Sequence, residues 1–239
     1  MQKKIIHPVF IGIITLILVG MTLFQISKLR TFQFFGGLIN RIETKQKVVA
    51  MTFDDAPTVY AQEILNILVE KQIKATFYEI GKQIEEHPEI AKSIVDAGME
   101  VGNHSYSHKR FLLVSQPFIH SEIQKTNELI RKSGYTGEIT FRPPNGKKLF
   151  GLPWYLSRHN IKTVMWDVEP DTYVAADSDA IAQYTLSHTT PGSIVLLHPF
   201  CAEECVADRI ALPRIIDGLL SQGYTFLTVS ELLEYRGYR

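Results

Sequence analysis

The sequence has few cysteines and no excess of charge. Its 239 residues include two cysteines, Cys201 and Cys205, in one short stretch, so no framework of disulfide bonds holds the fold together. The pair could oxidise outside the cell or be two small apolar residues, and without a matching second pair it does not indicate a structural zinc site. The 25 basic and 25 acidic residues cancel, which leaves no electrostatic footprint for nucleic acid. Internal repeats and low-complexity segments are also missing, and the length suffices for one substantial core.

One long hydrophobic run is present, at the amino terminus. Residues 5–27 carry no charged side chain and consist mostly of Ile, Leu, Val, Phe and Met. A bilayer core requires roughly 20 such residues as a helix. Lysines precede the run and Lys28 and Arg30 follow it. No small-x-small cleavage signature lies near its end, which favours an uncleaved signal anchor over a removed signal peptide.

The anchor predicts how the chain is divided. We expect residues 1–27 to be a transmembrane helix, residues 28–46 a linker, and residues 47–239 the folded domain. With the short basic end inside, the protein would cross the cell membrane once and hold its domain outside. Secretion after signal cleavage is the alternative.

From residue 47 onward, strand-like apolar runs alternate with amphipathic helical runs. Residues 48–53 read as a strand and residues 60–71 as a helix, and the same alternation continues to the carboxyl terminus. It is typical of a parallel sheet covered by helices. About seven repeats favour a barrel over an open sheet. The sequence therefore predicts an α/β fold, a (β/α) barrel preceded by one transmembrane helix.

Titratable side chains follow several of the predicted strands. In such barrels the chemistry takes place where strands end and loops begin. Asp54 and Asp55 follow the first strand. Two adjacent carboxylates repel each other unless a cation or a proton lies between them. We interpret the pair as half of a metal site, and a solvated acidic turn is the alternative.

His104 and His108 lie four residues apart, directly after a later strand. On a helical turn this spacing puts both imidazoles on one side, where they can bind one metal ion. One Asp oxygen and two histidine nitrogens would leave positions open for water and substrate, as in a catalytic site. Taken alone, the pair could be two solvated loop histidines; the acidic pair favours the metal.

Three further residues can each be interpreted in two ways, as structural residues or as functional ones. Arg142 precedes two prolines, so its backbone is stiff and its guanidinium can hold a carboxylate in one orientation; it could also be an ordinary surface arginine. His198 follows a fully apolar run and is either a hydrogen-bonded core residue or an acid–base group. Trp166 is a core aromatic or a stacking surface for a sugar ring.

Taken together, these segments resemble the motifs of the NodB-like polysaccharide deacetylases, carbohydrate esterase family four. The resemblance runs from about Lys47 to the carboxyl terminus and keeps the family's motif order. The family's T-F-D-D-G-P, H-[ST]-x-x-H, R-x-P-aromatic-G and L-x-L-x-H correspond here to residues 52–57, 104–108, 142–146 and 194–198.

The resemblance implies a distorted (β/α) barrel that holds one divalent metal ion, in most members zinc and in some cobalt or another divalent ion. It also implies a role for each matched residue. These are Asp55, His104 and His108 as metal ligands, Asp54 as general base, Arg142 as the residue that orients Asp54, and His198 as general acid.

The sequence departs from the family pattern at three points. Ala56 replaces a glycine and would be strained if that turn needs a positive φ. Asn145 replaces an aromatic residue whose backbone N–H helps to hold the oxyanion; any residue supplies that N–H, so the lost ring affects the sugar-binding surface. Residues 166–171 offer two aspartates, and we expect Asp167 rather than Asp171 to pair with His198.

The resemblance further implies an enzyme that removes N-acetyl groups from amino-sugar polysaccharides. We expect peptidoglycan N-acetylglucosamine as the substrate, because the domain would be anchored at a bacterial surface. Muramic acid residues, chitin oligomers and O-acetyl esters of xylan are alternatives with the same chemistry. A catalytically silent wall-binding module and a purely structural anchored protein are alternatives of other classes. We expect a monomer whose partners are a polysaccharide and the membrane, with no nucleic acid.

Overall fold

The computed structural model describes residues 8–174 and 176–235, so the lysines that precede the hydrophobic run lie outside the described residues. Strands and helices alternate along these residues as the sequence predicts. The strands are β1 Leu38–Ile39, β2 Val48–Ala56, β3 Thr76–Glu79, β4 Glu100–Asn103, β5 Thr163–Val164, β6 Ser193–Leu197 and β7 Thr225–Leu227. The α-helices are α1 Pro8–Ser27, α2 Ala61–Glu70, α3 Gly81–Glu86, α4 Pro88–Asp96, α5 Gln116–Lys132, α6 Gly151–Arg158, α7 Pro170–Tyr173, α8 Ser178–His188, α9 Val206–Ser221 and α10 Val229–Glu234.

Strand β2 lies at the centre of the sheet. It pairs in parallel with β3, β6 and β7, and β3 pairs in parallel with β4. Alternate side chains of β2 enter two different hydrophobic clusters on its two faces. This is why its sequence is a nearly continuous apolar run rather than an alternation of apolar and polar residues.

The sheet closes through short bridges. Phe141 is bridged to Asn103 at the end of β4 and to Thr163 in β5, and Val168 is bridged to Val195 in β6. These pairings complete a circuit from β4 back to β6 and β2. The predicted α/β barrel is confirmed. It is distorted where single bridges take the place of full strands.

The predicted linker is wrong for its second half. Strand β1 pairs in parallel with β5, and the N–H of Ile42 donates to the carbonyl of Gly192 at 2.8 Å. Ile42 is 1% exposed. These apolar residues cover the barrel beside β5, where a free spacer would leave its core open to water. Residues 38–42 therefore belong to the folded domain.

Helix α1 is long and apolar enough to cross a membrane. Its window Phe10–Ser27 has a mean hydropathy of 2.2 and lies almost entirely outside the protein core. A signal sequence near an amino terminus has the same properties. The helix ends on the domain, because the N–H of Lys148 donates to the carbonyl of Ser27 at 3.1 Å and its Nζ donates to that of Leu29 at 2.5 Å.

Of the two readings of the cysteine pair, the structure shows the oxidised one, a disulfide between Cys201 and Cys205. The bond lies in the loop that follows β6. Arg209, on α9, donates hydrogen bonds to the carbonyls of Pro199, Cys201 and Ala202 in the same loop. The bond and the buried guanidinium together hold this loop, which begins directly after His198.

Candidate metal centre and active site

The two adjacent carboxylates reach one cleft because β2 is irregular between them. In a regular strand, neighbouring side chains point to opposite faces. The pairing of β2 with β3 skips Asp55, whose φ of 68° is left-handed. Asp54 Oδ2 and Asp55 Oδ1 consequently lie 3.5 Å and 3.7 Å from one nitrogen, Nε2 of His104.

His104 is held with one ring nitrogen toward the acidic pair. Its Nδ1 donates to the backbone carbonyl of Arg142 at 2.8 Å, which fixes the tautomer and leaves the lone pair of Nε2 facing the cleft. Burial lowers the pKa of His104, and this effect outweighs the opposing effect of the two nearby carboxylates. The ring is therefore neutral at neutral pH, as a metal ligand must be.

His108 reaches the site through a loop rather than on a helical turn. Residues 104–110 are not helical, and Ser105 and His108 have left-handed φ angles of 68° and 54°. The loop is fixed by side chains, since Ser105 Oγ accepts the N–H of His108 at 3.1 Å and Glu122 Oε2 accepts the N–H of Ser107 at 2.8 Å. The two imidazoles still lie side by side, with 5.0 Å between ring centroids.

Asp55, His104 and His108 form a donor set that suits one divalent ion. One ligand atom from each residue lies within 4.8 Å of the other two. Donors bound tetrahedrally to zinc at about 2.1 Å lie about 3.4 Å apart. Asp55 Oδ1 is 3.7 Å from Nε2 of His104 and 3.3 Å from Nε2 of His108, close to that separation. This oxygen is buried and accepts no hydrogen bond, which fits an oxygen that binds a cation.

Arg142 contacts Asp54 as the resemblance implies. Its Nη1 donates to Asp54 Oδ1 at 2.7 Å and to Thr52 Oγ1 at 2.8 Å, and the guanidinium lies 4.0 Å above the ring of Tyr78. Burial alone would raise the pKa of Asp54, but the charge and hydrogen bond of Arg142, with the charge of His198, hold it below its usual value. Asp54 is therefore an ionised carboxylate fixed in one orientation.

His198 pairs with Asp171, so the expected pairing with Asp167 is wrong. His198 Nδ1 lies 2.5 Å from Asp171 Oδ2, on α7. Burial alone would lower the pKa of His198, but the hydrogen bond and charge of Asp171, with the charges of Asp54 and Asp55, raise it well above its usual value. His198 is therefore protonated at neutral pH.

Asp167 holds the backbone of β6 instead. Its Oδ1 accepts the N–H of Ile194 at 2.8 Å and its Oδ2 accepts the hydroxyl of Ser193 at 2.9 Å. The physical reason is its place three residues after β5, where the chain runs beside β6 and the side chain lies against that strand's first residues. The short helix α7, which the sequence reading missed, is what turns Asp171 back toward His198.

The departures from the family pattern are accommodated by the backbone. Ala56 is fully buried and does not have a positive φ; the left-handed residue is Asp55, so alanine is not strained. Asn145 has a φ of 53°, a conformation that asparagine tolerates better than most residues. Its Oδ1 accepts a hydrogen bond from Nε of Arg110 at 2.7 Å.

The candidate site lies in a cleft of about 450 Å³. The cleft is also lined by residues that the sequence reading placed outside the site, Lys28 and Arg30 among them. Arg30 forms an ion pair with Glu169, and its guanidinium lies 4.8 Å above the ring of Trp166. That ring face is therefore covered, which favours the core reading of Trp166 over a sugar-stacking one.

A second cleft of about 550 Å³ adjoins the first. The two share Asp55, His108 and His198, so two of the three candidate ligands lie where the clefts meet. The disulfide lines the second cleft. Asp208 is a further buried carboxylate that the sequence reading missed; burial and then the charge of Asp171 raise its pKa to about 7.

The order and geometry of these residues agree with a known family. The family model described as polysaccharide deacetylase matches residues 41–164, more than half of the chain. The chain belongs to the polysaccharide deacetylase family.

Two curated relatives of the family and one solved structure show the range of similarity. A peptidoglycan-N-acetylglucosamine deacetylase of Bacillus cereus is 32% identical over 202 residues, which cover 84% of this chain and 71% of that protein. The peptidoglycan-N-acetylmuramic acid deacetylase PdaC of Bacillus subtilis is 32% identical over 201 residues, which cover 83% of this chain and 41% of PdaC. The crystal structure of BA3943, a CE4 family pseudoenzyme from Bacillus anthracis, has a TM-score of 0.74 at 33% identity and covers 82% of this chain and 69% of that one.

Proposed function

We propose that this polysaccharide deacetylase is a metal-dependent hydrolase that removes N-acetyl groups from peptidoglycan N-acetylglucosamine. The observation that carries the proposal is the convergence of Asp55, His104 and His108 beside an ionised Asp54 that is fixed by Arg142. A zinc ion is the first choice for a donor set of one carboxylate and two imidazoles, and cobalt is a second. When bound, the ion supplies Lewis acidity to the acetyl carbonyl and to a water molecule.

Asp54 acts as the general base. Its Oδ2 lies 3.5 Å from Nε2 of His104, next to the donor set of Asp55, His104 and His108. Its Oδ1 is occupied by Arg142 at 2.7 Å, which leaves Oδ2 to take the proton of the attacking water. The ionised state that Arg142 maintains is the state that a base needs.

His198 acts as the general acid. The hydrogen bond from Nδ1 to Asp171 keeps the ring protonated and leaves Nε2–H for the substrate. As the C–N bond of the acetamide breaks, His198 donates this proton to the departing amine, and the products are acetate and a free amino sugar. The backbone N–H of Asn145, which also lines the cleft, supports the oxyanion.

The shape of the site suits a polymer rather than a single sugar. The two clefts meet at the donor set, so a sugar chain can extend away from the reacting acetyl group on both sides. An anchor at residues 8–27 would keep the domain at the outer face of the cell membrane, near the glycan strands of the wall. We infer that the protein acts there as a monomer.

Release of acetate tests the proposed activity. The full-length protein in neutral detergent micelles, supplied with zinc or cobalt, is incubated with N-acetylated peptidoglycan fragments, chitin oligomers and acetylated xylan. We expect acetate from the N-acetylated glycans, with an equal amount of new free amine. Binding of fragments without acetate release would instead support a silent wall-binding module.

Replacing Asp171 distinguishes the two aspartates near His198. Asp171→Asn removes the charge that raises the pKa of His198, so a smaller fraction of the acid is protonated at neutral pH. We expect kcat to fall about 100-fold and the alkaline limb of the kcat–pH profile to move to lower pH. Steady-state kinetics across the pH range measure both effects.

Asp167→Asn is the matched control for this prediction. It should weaken the hydrogen bonds to the start of β6 and cost about 1 kcal/mol of unfolding free energy, with the pH profile unchanged. A shifted profile in Asp167→Asn and a normal one in Asp171→Asn would contradict the assignment.

A further inference from the structure

One wall of the cleft is basic and has no acidic partner. We define the basic wall as Lys28, Arg110 and Lys147. Lys28 and Lys147 line the same cleft as the donor set, and Arg110 is attached to the cleft residue Asn145 by its hydrogen bond of 2.7 Å. None of the three takes part in an ion pair among the described residues.

The cations of the basic wall are held close to one another. The Nζ atoms of Lys28 and Lys147 lie 4.2 Å and 4.9 Å from the centre of one ring, that of Phe24 at the end of α1. Burial, and then the charges of Lys28 and Arg110, lower the pKa of Lys147. Like charges in such an arrangement repel each other until an anion lies between them.

The carboxylates near the basic wall already have other partners or roles. Glu169 lines the cleft but forms its ion pair with Arg30, and Asp171 pairs with His198. The remaining carboxylates of the cleft, Asp54 and Asp55, belong to the catalytic pair. Among the described residues, the cleft therefore offers the basic wall no free carboxylate, and an anion from a bound molecule would fit there.

Two sources of that anion can be compared. A lysine after a transmembrane helix often contacts lipid phosphates, and Lys28 alone would fit this reading. Arg110 and Lys147 come from loops far along the sequence, after β4 and before α6. Because the wall shares its cleft with the residues that surround the reacting acetyl group, the geometry favours a substrate anion over a lipid.

We propose that the basic wall binds a carboxylate of the glycan, so that the enzyme prefers acidic N-acetylated glycans to neutral ones. This inference rests on the proposed function for the position of the acetyl group. In peptidoglycan the anions beside an acetamido sugar are carboxylates, on the lactyl group of muramic acid or on the attached peptide. Lysine and arginine side chains bind such groups by charge-assisted hydrogen bonds.

A pair of substrates that differ only in charge tests the preference. One is a soluble peptidoglycan oligomer with free carboxylates, and the other is the same oligomer with its carboxylates converted to methyl esters. For the full-length wild type in neutral detergent at low salt, we expect kcat/KM to be roughly tenfold higher for the acidic oligomer. Raising the ionic strength to 0.5 M should reduce this ratio, because salt screens exposed charges.

Variants of the wall should change the ratio of the two substrates. Lys28→Gln with Lys147→Gln should bring the ratio to about one, and Lys28→Glu with Lys147→Glu should invert it. Both lysines are at least partly exposed, and the glutamine pair provides a milder change if the glutamate pair folds poorly. The matched control is Lys45→Glu, an exposed lysine outside both clefts, which should keep the wild-type ratio.

A binding measurement separates this inference from the proposed function. In the Asp54→Asn background, calorimetric titration with the two oligomers should show tighter binding of the acidic one, whether or not acetate is released by the wild type. Equal affinity for both oligomers would overturn the inference while leaving the deacetylase activity standing. Lysine variants that lose binding to phosphatidylglycerol vesicles but keep the wild-type substrate ratio would also overturn it, in favour of a lipid contact.

Discussion

Asp54→Asn should lower kcat for acetate release by about a thousandfold. The asparagine side chain has nearly the same shape and can still accept the hydrogen bond from Nη1 of Arg142, which is 2.7 Å away in the structure. It cannot take a proton from water at neutral pH. The loss is therefore expected in kcat, with a small change in KM, and steady-state kinetics on an N-acetylated oligosaccharide measure both.

The metal content of Asp54→Asn shows whether the loss of kcat comes from a missing base or from a missing metal ligand. Asp54 does not belong to the donor set, so Asp54→Asn should bind about one equivalent of zinc, as the wild type does. A variant that keeps near-normal kcat would contradict the assignment of Asp54 as the general base. A variant that loses its metal would show that Asp54 is a ligand.

His104→Ala should abolish both metal binding and acetate release. Two of the three donors would remain, and water would take the position of the lost imidazole. We therefore expect zinc affinity to fall by at least about 100-fold. Metal analysis after dialysis and acetate release at added zinc measure the two effects separately. His87→Ala, in a histidine between α3 and α4 outside the clefts, is the control and should bind metal normally.

Metal binding should also depend on pH with a definite sign. Burial lowers the pKa values of His104 and His108, so both rings stay neutral to a lower pH than an ordinary histidine does. Zinc occupancy should therefore be constant near neutral pH and fall only in acid, where protons compete for the nitrogens. Loss of zinc already between pH 7 and 6 would contradict this prediction.

The disulfide and the proposed anchor agree on where the domain would work. Disulfides persist in oxidising compartments, so a bond between Cys201 and Cys205 in the loop after His198 agrees with a domain that works outside the cytoplasm. Helix α1 ends on Lys148, the neighbour in sequence of the cleft residue Lys147. An anchored protein would thus present its cleft near the membrane surface rather than far into the wall.

The family pattern accounts for most of the residues of the site, but it does not predict the backbone conformation and side-chain pairing of a few of them. The spacing of His104 and His108 correctly suggests neighbouring imidazoles, but the loop that achieves it depends on a left-handed Ser105 and on the distant Glu122. The expected pairing of Asp167 with His198 is wrong because α7, four residues long, reverses the chain and brings Asp171 to the ring. A helix this short has no periodic pattern that a sequence reading could detect.

The sequence alone determined which residue types are available and the order of the longer strands and helices that carry them, because hydrophobic periodicity and strand-end polarity are local properties of the chain. Only the tertiary structure decided that Asp54 and Asp55 face one nitrogen, that residues 38–42 complete the barrel, and that Lys28 lies in the cleft. Each of these depends on a bulge or on contacts between segments more than 20 residues apart, and such contacts are set by packing rather than by local pattern.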